Sequence, residues 1–173
     1  MSTTANKITV LRIVLVPVFL LLEYLGYAYA AFAVFVAASL SDMLDGYIAR
    51  KYNQITVFGK FMDPLADKML VLAAMCYLIE AGAMPGWAVA VVIFREFAVS
   101  GLRLVAAERS IVIAAAQSGK IKTACTMVCL CIMLFFLGRC PLWLNTLCIA
   151  LIVITTVYSG FEYFHNNYRV FSE

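Results

Sequence analysis

Six apolar stretches, of 16 to 23 residues each, limit most strongly how this chain can fold. They are Val10–Leu25, Ala28–Arg50, Phe61–Ile79, Pro85–Leu104, Ser118–Leu137 and Leu142–Phe164. A spanning helix needs about 20 mainly apolar residues. Hydrophobic residues make up 65% of the chain, compared with about 45–50% in soluble domains. We therefore predict an all-α, polytopic membrane protein with six transmembrane helices and a single domain over residues 1–173.

The basic residues are distributed unevenly between the two ends of these predicted helices. With six spans, all but one of the 13 Lys and Arg residues fall on the side that holds both termini, and Arg139 alone falls on the other. Loops rich in Lys and Arg stay in the cytoplasm. The pattern therefore predicts a cytoplasmic-membrane protein whose termini and longer loops face the cytoplasm.

Four of the ten acidic residues lie close together within this apolar chain: Asp42, Asp45, Asp63 and Asp67. On a helix, Asp42 and Asp45 share a face because they are three apart, and Asp63 and Asp67 share a face because they are four apart. The short connection between the two segments lets both pairs meet in one space. We expect them at the cytoplasmic end of the protein.

Clustered carboxylates in a membrane need compensation for their charge. Each costs about 2.5–3.5 kcal/mol at mid-bilayer on the insertion scale, so they must be protonated, paired or bound to metal. His165 is the only histidine, which nearly excludes sites built from several histidines. Carboxylate oxygens without His or Cys suit Mg²⁺ or Mn²⁺. Four carboxylates are enough for two ions, the usual arrangement for displacement at phosphorus. The six cysteines are expected to pack as small apolar residues.

Small residues lie beside the aspartates. Gly46 and Ala49 follow the first pair on the same helical stripe, and Gly59 precedes the second pair. Such residues let a ligand lie against the backbone, although close helix packing is an alternative explanation. Asp63 followed by Pro64 also fits a helix cap, which would explain one carboxylate but not the other three.

The spacing D-x2-D-G-x2-A-R-x8-G-x3-D-x3-D runs from Asp42 to Asp67. It matches every fixed position of the signature of the CDP-alcohol phosphotransferase family, which the whole chain resembles. The resemblance implies a homodimeric membrane enzyme that moves a phosphatidyl group from a CDP-lipid to an alcohol and releases CMP. It also implies that Asp42, Asp45 and Asp63 bind metal and that Asp67 is the base, with a possible metal contact of its own. Gly46, Ala49, Arg50 and Gly59 would border the cytidine diphosphate.

The beginning of the chain, Asn6-Lys-Ile-Thr9-Val-Leu-Arg12, resembles the first helix of the phosphatidylglycerophosphate synthase branch. Ala5 stands where that family often has Pro. Asn6 and Thr9 are candidates for binding the nucleotide, and a helix start or an interfacial anchor is the alternative. Lys7 and Arg12 are interpreted as anchors at the lipid headgroups.

The acceptor substrate is predicted from the remaining basic residues. Arg95, Arg103, Lys120 and Lys122 are candidates for binding an acceptor phosphate, because two anionic substrates can meet only where cations balance them. The positive-inside rule is the alternative for each residue, and a buried pair with Glu96 is the alternative for Arg95. The segments Arg95–Arg103, Gly119–Thr123 and Tyr158–Tyr163 resemble the phosphatidylglycerophosphate synthases.

The expected reaction joins CDP-diacylglycerol and glycerol 3-phosphate to give phosphatidylglycerophosphate and CMP. Membrane lipids and a second copy of the chain are the expected partners, and no nucleic acid is. Another acceptor within the family, namely phosphatidylglycerol, serine or inositol phosphate, remains an alternative. A cation transporter is a more distant alternative. The polar residues of a transporter would be spread across the bilayer, whereas those of this chain are collected at one end.

Overall fold

The computed structural model describes residues 4–51, 57–108 and 116–168, without the side chains of residues 4–7, 42–51, 57–61, 63 and 64. In this part of the chain all regular structure is helical, in six helices. They are α1 (Thr4–Tyr24), α2 (Ala28–Lys51), α3 (Val57–Glu80), α4 (Gly86–Glu108), α5 (Gln117–Phe135) and α6 (Leu142–Asn166). The prediction of an all-α fold is therefore confirmed.

Two helices begin several residues before the apolar spans that they contain. Helix α1 begins at Thr4 rather than at Val10, and α3 begins at Val57 rather than at Phe61. Apolar runs show where a helix can lie in lipid, whereas a helix continues into polar residues as long as its backbone hydrogen bonds do. Asp63 consequently lies inside α3, so the interpretation of Asp63 as a helix cap is wrong.

Glycines with a positive φ form the tight connections between helices. Gly26, at φ 81°, ends the α1–α2 turn, and Gly138, at φ 74°, lies between α5 and α6. A side chain with a Cβ rarely adopts this conformation. Both glycines lie between the apolar stretches of the sequence.

The chain divides into two compact units, Met1–Ala81 and Gly82–Glu173. In the first unit, α1 packs against α2 and α3, and α2 also contacts α3. Its core joins large side chains to alanines that allow the helices to approach closely. Fully buried residues of this core are Phe19, Ala31, Phe35, Ala38, Ala66, Leu70, Ala74, Met75 and Leu78. The hydroxyl of Tyr24 on α1 donates a hydrogen bond to the carboxylate of Glu80 on α3.

In the second unit, α6 packs against both α4 and α5. Val92, Leu130, Met133 and Ile152 form part of its buried core. Buried polar side chains accompany this core on two helices: Ser118, Lys122 and Thr126 on α5, and Thr156 and Ser159 on α6. The second unit therefore holds a polar interior as well as an apolar one.

Two helices among the described residues are long and apolar enough to cross a membrane, α5 with a mean hydropathy of 1.5 and α6 with 1.8. Large apolar side chains also lie on the outside of the protein. Phe94, Leu104, Leu142 and Phe161 are each more than 70% exposed. These exposures match the apolar surface that is expected of helices in contact with lipid.

Candidate active site

The first unit carries the four predicted metal-binding aspartates on two helices that contact each other. Asp42 and Asp45 belong to α2, and Asp63 and Asp67 belong to α3. Both pairs keep the helical spacing on which the sequence argument depends. The side chains of Asp42, Asp45 and Asp63 lie outside the described residues, and Asp67 is partly buried.

The chemistry of these donors fits a divalent cation. Carboxylate oxygens are the ligands that Mg²⁺ and Mn²⁺ prefer, and two contacting helices supply four of them. Among the side chains that the structure describes, no three of His, Cys, Asp or Glu are close enough together to hold a metal ion. Of the four aspartates, only Asp67 has a described side chain, so metal binding by these four residues stays a prediction.

The residues predicted to bind the CDP-lipid all belong to the helices of the first unit. Asn6 and Thr9 are on α1, Gly46, Ala49 and Arg50 are on α2, and Gly59 is on α3. Thr9 is fully buried. The side chains of the other five lie outside the described residues, so their nucleotide contacts stay predictions.

Arg12 is a buried cation beside the aspartate segment. It is completely shielded from solvent, and its Nε donates a hydrogen bond of 3.4 Å to Oγ of Ser41. Ser41 directly precedes Asp42 in α2 and donates its own proton to the carbonyl of Ala38 at 2.7 Å. The interpretation of Arg12 as a headgroup anchor is therefore wrong, because the guanidinium lies inside the first unit.

The signal for Arg12 was present in the sequence. Asn6, Thr9 and Arg12 are spaced three residues apart, which places them along one side of a helix. An arginine on the same side as two nucleotide-binding candidates belongs to the interior more readily than to the headgroups. A buried arginine is costly unless anions or acceptors surround it, and Ser41, the residue before Asp42, supplies one such acceptor.

The second unit brings two of the predicted phosphate-binding residues together on one carboxylate. Arg95 Nη1 lies 3.0 Å from Oε1 of Glu96, and Nζ of Lys122 lies 2.8 Å from the same oxygen. The side chains of Arg95, Glu96 and Lys122 are only 13%, 19% and 6% exposed. The expected alternative of an Arg95–Glu96 pair is present, and Lys122 from α5 extends it to a triad.

Two glycines make room for Arg95. A Cβ placed on Gly160 of α6 would lie 3.2 Å from Cγ of Arg95, and one placed on Gly119 of α5 would lie 3.6 Å from its Nη2. Arg95 Nε and Oγ of Ser118 are buried and have no hydrogen-bond partner among the described residues. An unsatisfied buried donor is costly in a finished structure, so this corner of the unit has the character of a ligand site.

The other two predicted acceptor residues have different surroundings. Arg103 donates from Nε to the hydroxyl of Tyr163 at 2.8 Å, and its guanidinium carbon lies 5.4 Å from the centre of that ring. Lys120 is exposed, whereas Lys122 on the same helix is buried. The structure thus joins Arg95 to Lys122, and it leaves the proposed roles of Arg103 and Lys120 as predictions.

Comparison with known proteins supports the motif. The sequence pattern of the CDP-alcohol phosphatidyltransferases matches residues 2–158. A relative from Bacillus subtilis (strain 168), a CDP-diacylglycerol–glycerol-3-phosphate 3-phosphatidyltransferase, is 42% identical over 98% of this chain and 97% of its own.

Two further relatives bear related names. A probable phosphatidylglycerophosphate synthase from Mycobacterium tuberculosis (strain ATCC 25618 / H37Rv) is 36% identical over 94% of this chain and 80% of its own. A CDP-diacylglycerol–glycerol-3-phosphate 3-phosphatidyltransferase from Rickettsia typhi is 33% identical over 95% of this chain and 96% of its own. The match of one family pattern to nearly the whole chain, together with such full-length likeness, means that this chain belongs to the CDP-alcohol phosphatidyltransferase family.

Proposed function

We propose that this chain transfers the phosphatidyl group of CDP-diacylglycerol to glycerol 3-phosphate, forming phosphatidylglycerophosphate and CMP. The observation that carries this proposal is the full-length similarity, at 42% identity, to a relative named for that reaction. The buried Arg95–Glu96–Lys122 triad supports it independently, because an acceptor with its own phosphate needs cations to bind it. A serine acceptor carries no phosphate and would not need these cations.

The first unit would bind the donor substrate. Asp42, Asp45, Asp63 and Asp67 would hold two divalent ions, Mg²⁺ or Mn²⁺, whose positive charge offsets that of the pyrophosphate and of the departing CMP. The proposed contacts to the nucleotide come from Asn6, Thr9, Gly46, Ala49, Arg50 and Gly59. Arg12 supports this assignment, because it adds a buried positive charge next to Ser41 and the aspartate segment.

Asp67 would act as the general base. It would accept the proton of the primary hydroxyl of glycerol 3-phosphate as that oxygen bonds to the phosphorus of the phosphatidyl group. The bond from this phosphorus to the oxygen that joins the two phosphates breaks, and CMP leaves with the electron pair. A carboxylate can serve in this way when it lies within hydrogen-bond reach of the hydroxyl.

The second unit would bind the acceptor phosphate. Arg95 offers a planar fork that matches two phosphate oxygens, and Lys122 offers a compact charge. The two cations are held by one carboxylate oxygen at 3.0 and 2.8 Å, which supports a shared ligand for both. Arg103 and Lys120 are proposed to contribute more weakly, since Arg103 is engaged by Tyr163 and Lys120 is exposed.

The setting we propose is the cytoplasmic membrane, with six spans and both termini and the active site in the cytoplasm. The exposed aromatic and aliphatic side chains support burial in lipid, as do the lengths of the six helices, from 19 to 25 residues. A homodimer remains part of the proposal by family resemblance.

The acceptor assignment is tested by giving the purified protein several acceptors in parallel. Detergent-solubilised enzyme with CDP-diacylglycerol and Mg²⁺ or Mn²⁺ receives glycerol 3-phosphate, serine, inositol phosphate or phosphatidylglycerol. We expect lipid product with glycerol 3-phosphate and none with the others. Product from another acceptor alone would reassign the substrate, and activity that survives EDTA would contradict the proposed metal site.

A further inference from the structure

We propose that Glu96 is a positioning residue that aims Arg95 and Lys122 at the phosphate of the acceptor substrate. This inference depends on the proposed function, because it names a residue that acts on the acceptor through the two cations. The positioning role has a different consequence from that of a purely stabilising ion pair. Loss of Glu96 is expected to weaken binding of one substrate and to leave the other substrate unaffected.

The geometry of the triad fixes both cations relative to each other. Glu96 is next to Arg95 on α4, and Lys122 comes from α5. One oxygen, Oε1, accepts from Arg95 Nη1 at 3.0 Å and from Lys122 Nζ at 2.8 Å. Two buried cations would repel each other without an anion between them. The carboxylate therefore sets how far apart the two positive groups lie.

The same contact determines which edge of the guanidinium is left for a ligand. Glu96 engages Nη1, whereas Nε is buried and has no partner among the described residues. Nη2 lies beside Gly119, where a Cβ would stand at an ordinary contact distance of 3.6 Å. The Nε and Nη2 protons form one edge of the fork, and such an edge binds two oxygens of a phosphate side by side.

Lys122 keeps donors for the same ligand. An ammonium group has three protons, and the bond to Glu96 uses one of them. Ser118, one helical turn before Lys122, adds a buried hydroxyl without a partner in the described residues. Around the triad, therefore, Arg95 Nε and Ser118 Oγ are buried donors without a partner in the described part of the chain, and Glu96 holds Arg95 and Lys122 in place.

Steady-state kinetics of Glu96→Gln, with Glu108→Gln as the matched control, tests this role. The control makes the same substitution at an exposed residue of the same helix. We expect Glu96→Gln to raise KM for glycerol 3-phosphate about tenfold, the size of effect expected when a charge-assisted bond is lost. The KM for CDP-diacylglycerol and kcat at saturating acceptor should stay within about twofold.

Inorganic phosphate provides a second readout, because it carries the phosphate group of the acceptor without the hydroxyl that reacts. As a competitor of glycerol 3-phosphate, it should inhibit Glu96→Gln with an inhibition constant raised by a similar factor. An unchanged KM for glycerol 3-phosphate, or an equal rise in KM for both substrates, would overturn the inference. If Glu96→Gln does not fold, Glu96→Asp decides, because it keeps the charge and draws the carboxylate back. A rise in KM for the acceptor supports the role of Glu96, and an unchanged KM overturns it.

Failure of this inference and failure of the proposed function give different results. If the native enzyme forms no lipid from glycerol 3-phosphate, the proposed function is wrong. If it does, and Arg95→Lys raises KM for the acceptor whereas Glu96→Gln does not, the function stands and only the positioning role of Glu96 fails.

Discussion

Lys122 of α5 donates a hydrogen bond from Nζ to Oε1 of Glu96 on α4, at 2.8 Å. Both side chains are largely shielded, at 6% and 19% exposure. Basic residues near the cytoplasmic ends of membrane helices usually reflect topology alone. A buried lysine tied to a carboxylate on another helix has a more specific role, and this separates Lys122 from its neighbour Lys120.

The difference between Lys122 and Lys120 yields the first prediction. Lys122→Met keeps the apolar stem and removes the charge, so we expect KM for glycerol 3-phosphate to rise about tenfold or more. Lys120→Met removes an exposed charge and should raise KM for glycerol 3-phosphate by less than about threefold. Initial rates over a range of acceptor concentrations measure both. Equal effects of the two variants would contradict the proposal that Lys122 contributes more than Lys120 to binding the acceptor phosphate.

The glycines that flank Arg95 yield the second prediction. Gly160→Ala introduces a Cβ 3.2 Å from Cγ of Arg95, which must shift, whereas Gly119→Ala meets Nη2 at an ordinary contact of 3.6 Å. We expect Gly160→Ala to raise KM for the acceptor several-fold, about 3–10-fold, since displaced binding groups lose their alignment. Gly119→Ala should change KM for the acceptor by about twofold or less. The reverse order would show that Arg95 is not held as described.

Arg12 yields a prediction about stability. Arg12 is completely buried and donates to Ser41, and losing a hydrogen bond of a charged group costs about 1.5–3 kcal/mol, so Arg12→Met should lower the thermal midpoint by roughly 3–10 °C. Ser41→Ala removes the acceptor of a 3.4 Å bond and should lower it by only about 1–3 °C. Thermal unfolding of the detergent-solubilised protein provides the comparison. A midpoint of Arg12→Met equal to that of the native protein would contradict the buried role of Arg12.

Asp67 yields a prediction about chemistry separate from binding. Asp67→Asn keeps the shape of the side chain but cannot take a proton, so transfer should fall by about 100-fold or more. Binding of CDP-diacylglycerol, measured as thermal stabilisation in the presence of metal, should persist. Near-normal turnover in Asp67→Asn would show that another group is the base.

Sequence analysis predicted the helices well because apolar runs are a direct consequence of lipid or core burial. Helices α1 and α3 begin before their apolar spans, since residues such as Asn6 and Gly59 continue a helix without adding apolarity. Sequence analysis offered Asp63 as a cap, although α3 begins six residues earlier, at Val57. Local residue chemistry suggested that cap, and the helix that continues through the position overrides it.

The candidate site was predicted unevenly for a similar reason. The aspartates are visible because four carboxylates at fixed spacing are rare in an apolar chain, and the helices retain that spacing. The role of Glu96 was not predictable beyond a pair with Arg95, because Lys122 is 26 residues away. Contacts between helices depend on how each is rotated, and helical spacing within one segment does not determine this. Arg12 was misinterpreted because arginines in such chains usually lie at the headgroups.

The most direct test of the central claim is the balance between the two products of the reaction. Purified enzyme with CDP-diacylglycerol, radiolabelled glycerol 3-phosphate and Mg²⁺ or Mn²⁺ should move label into the lipid phase and release CMP in equal amounts. Neither product should form when glycerol 3-phosphate is omitted. CMP release that does not depend on glycerol 3-phosphate, or the absence of labelled lipid, would contradict the account.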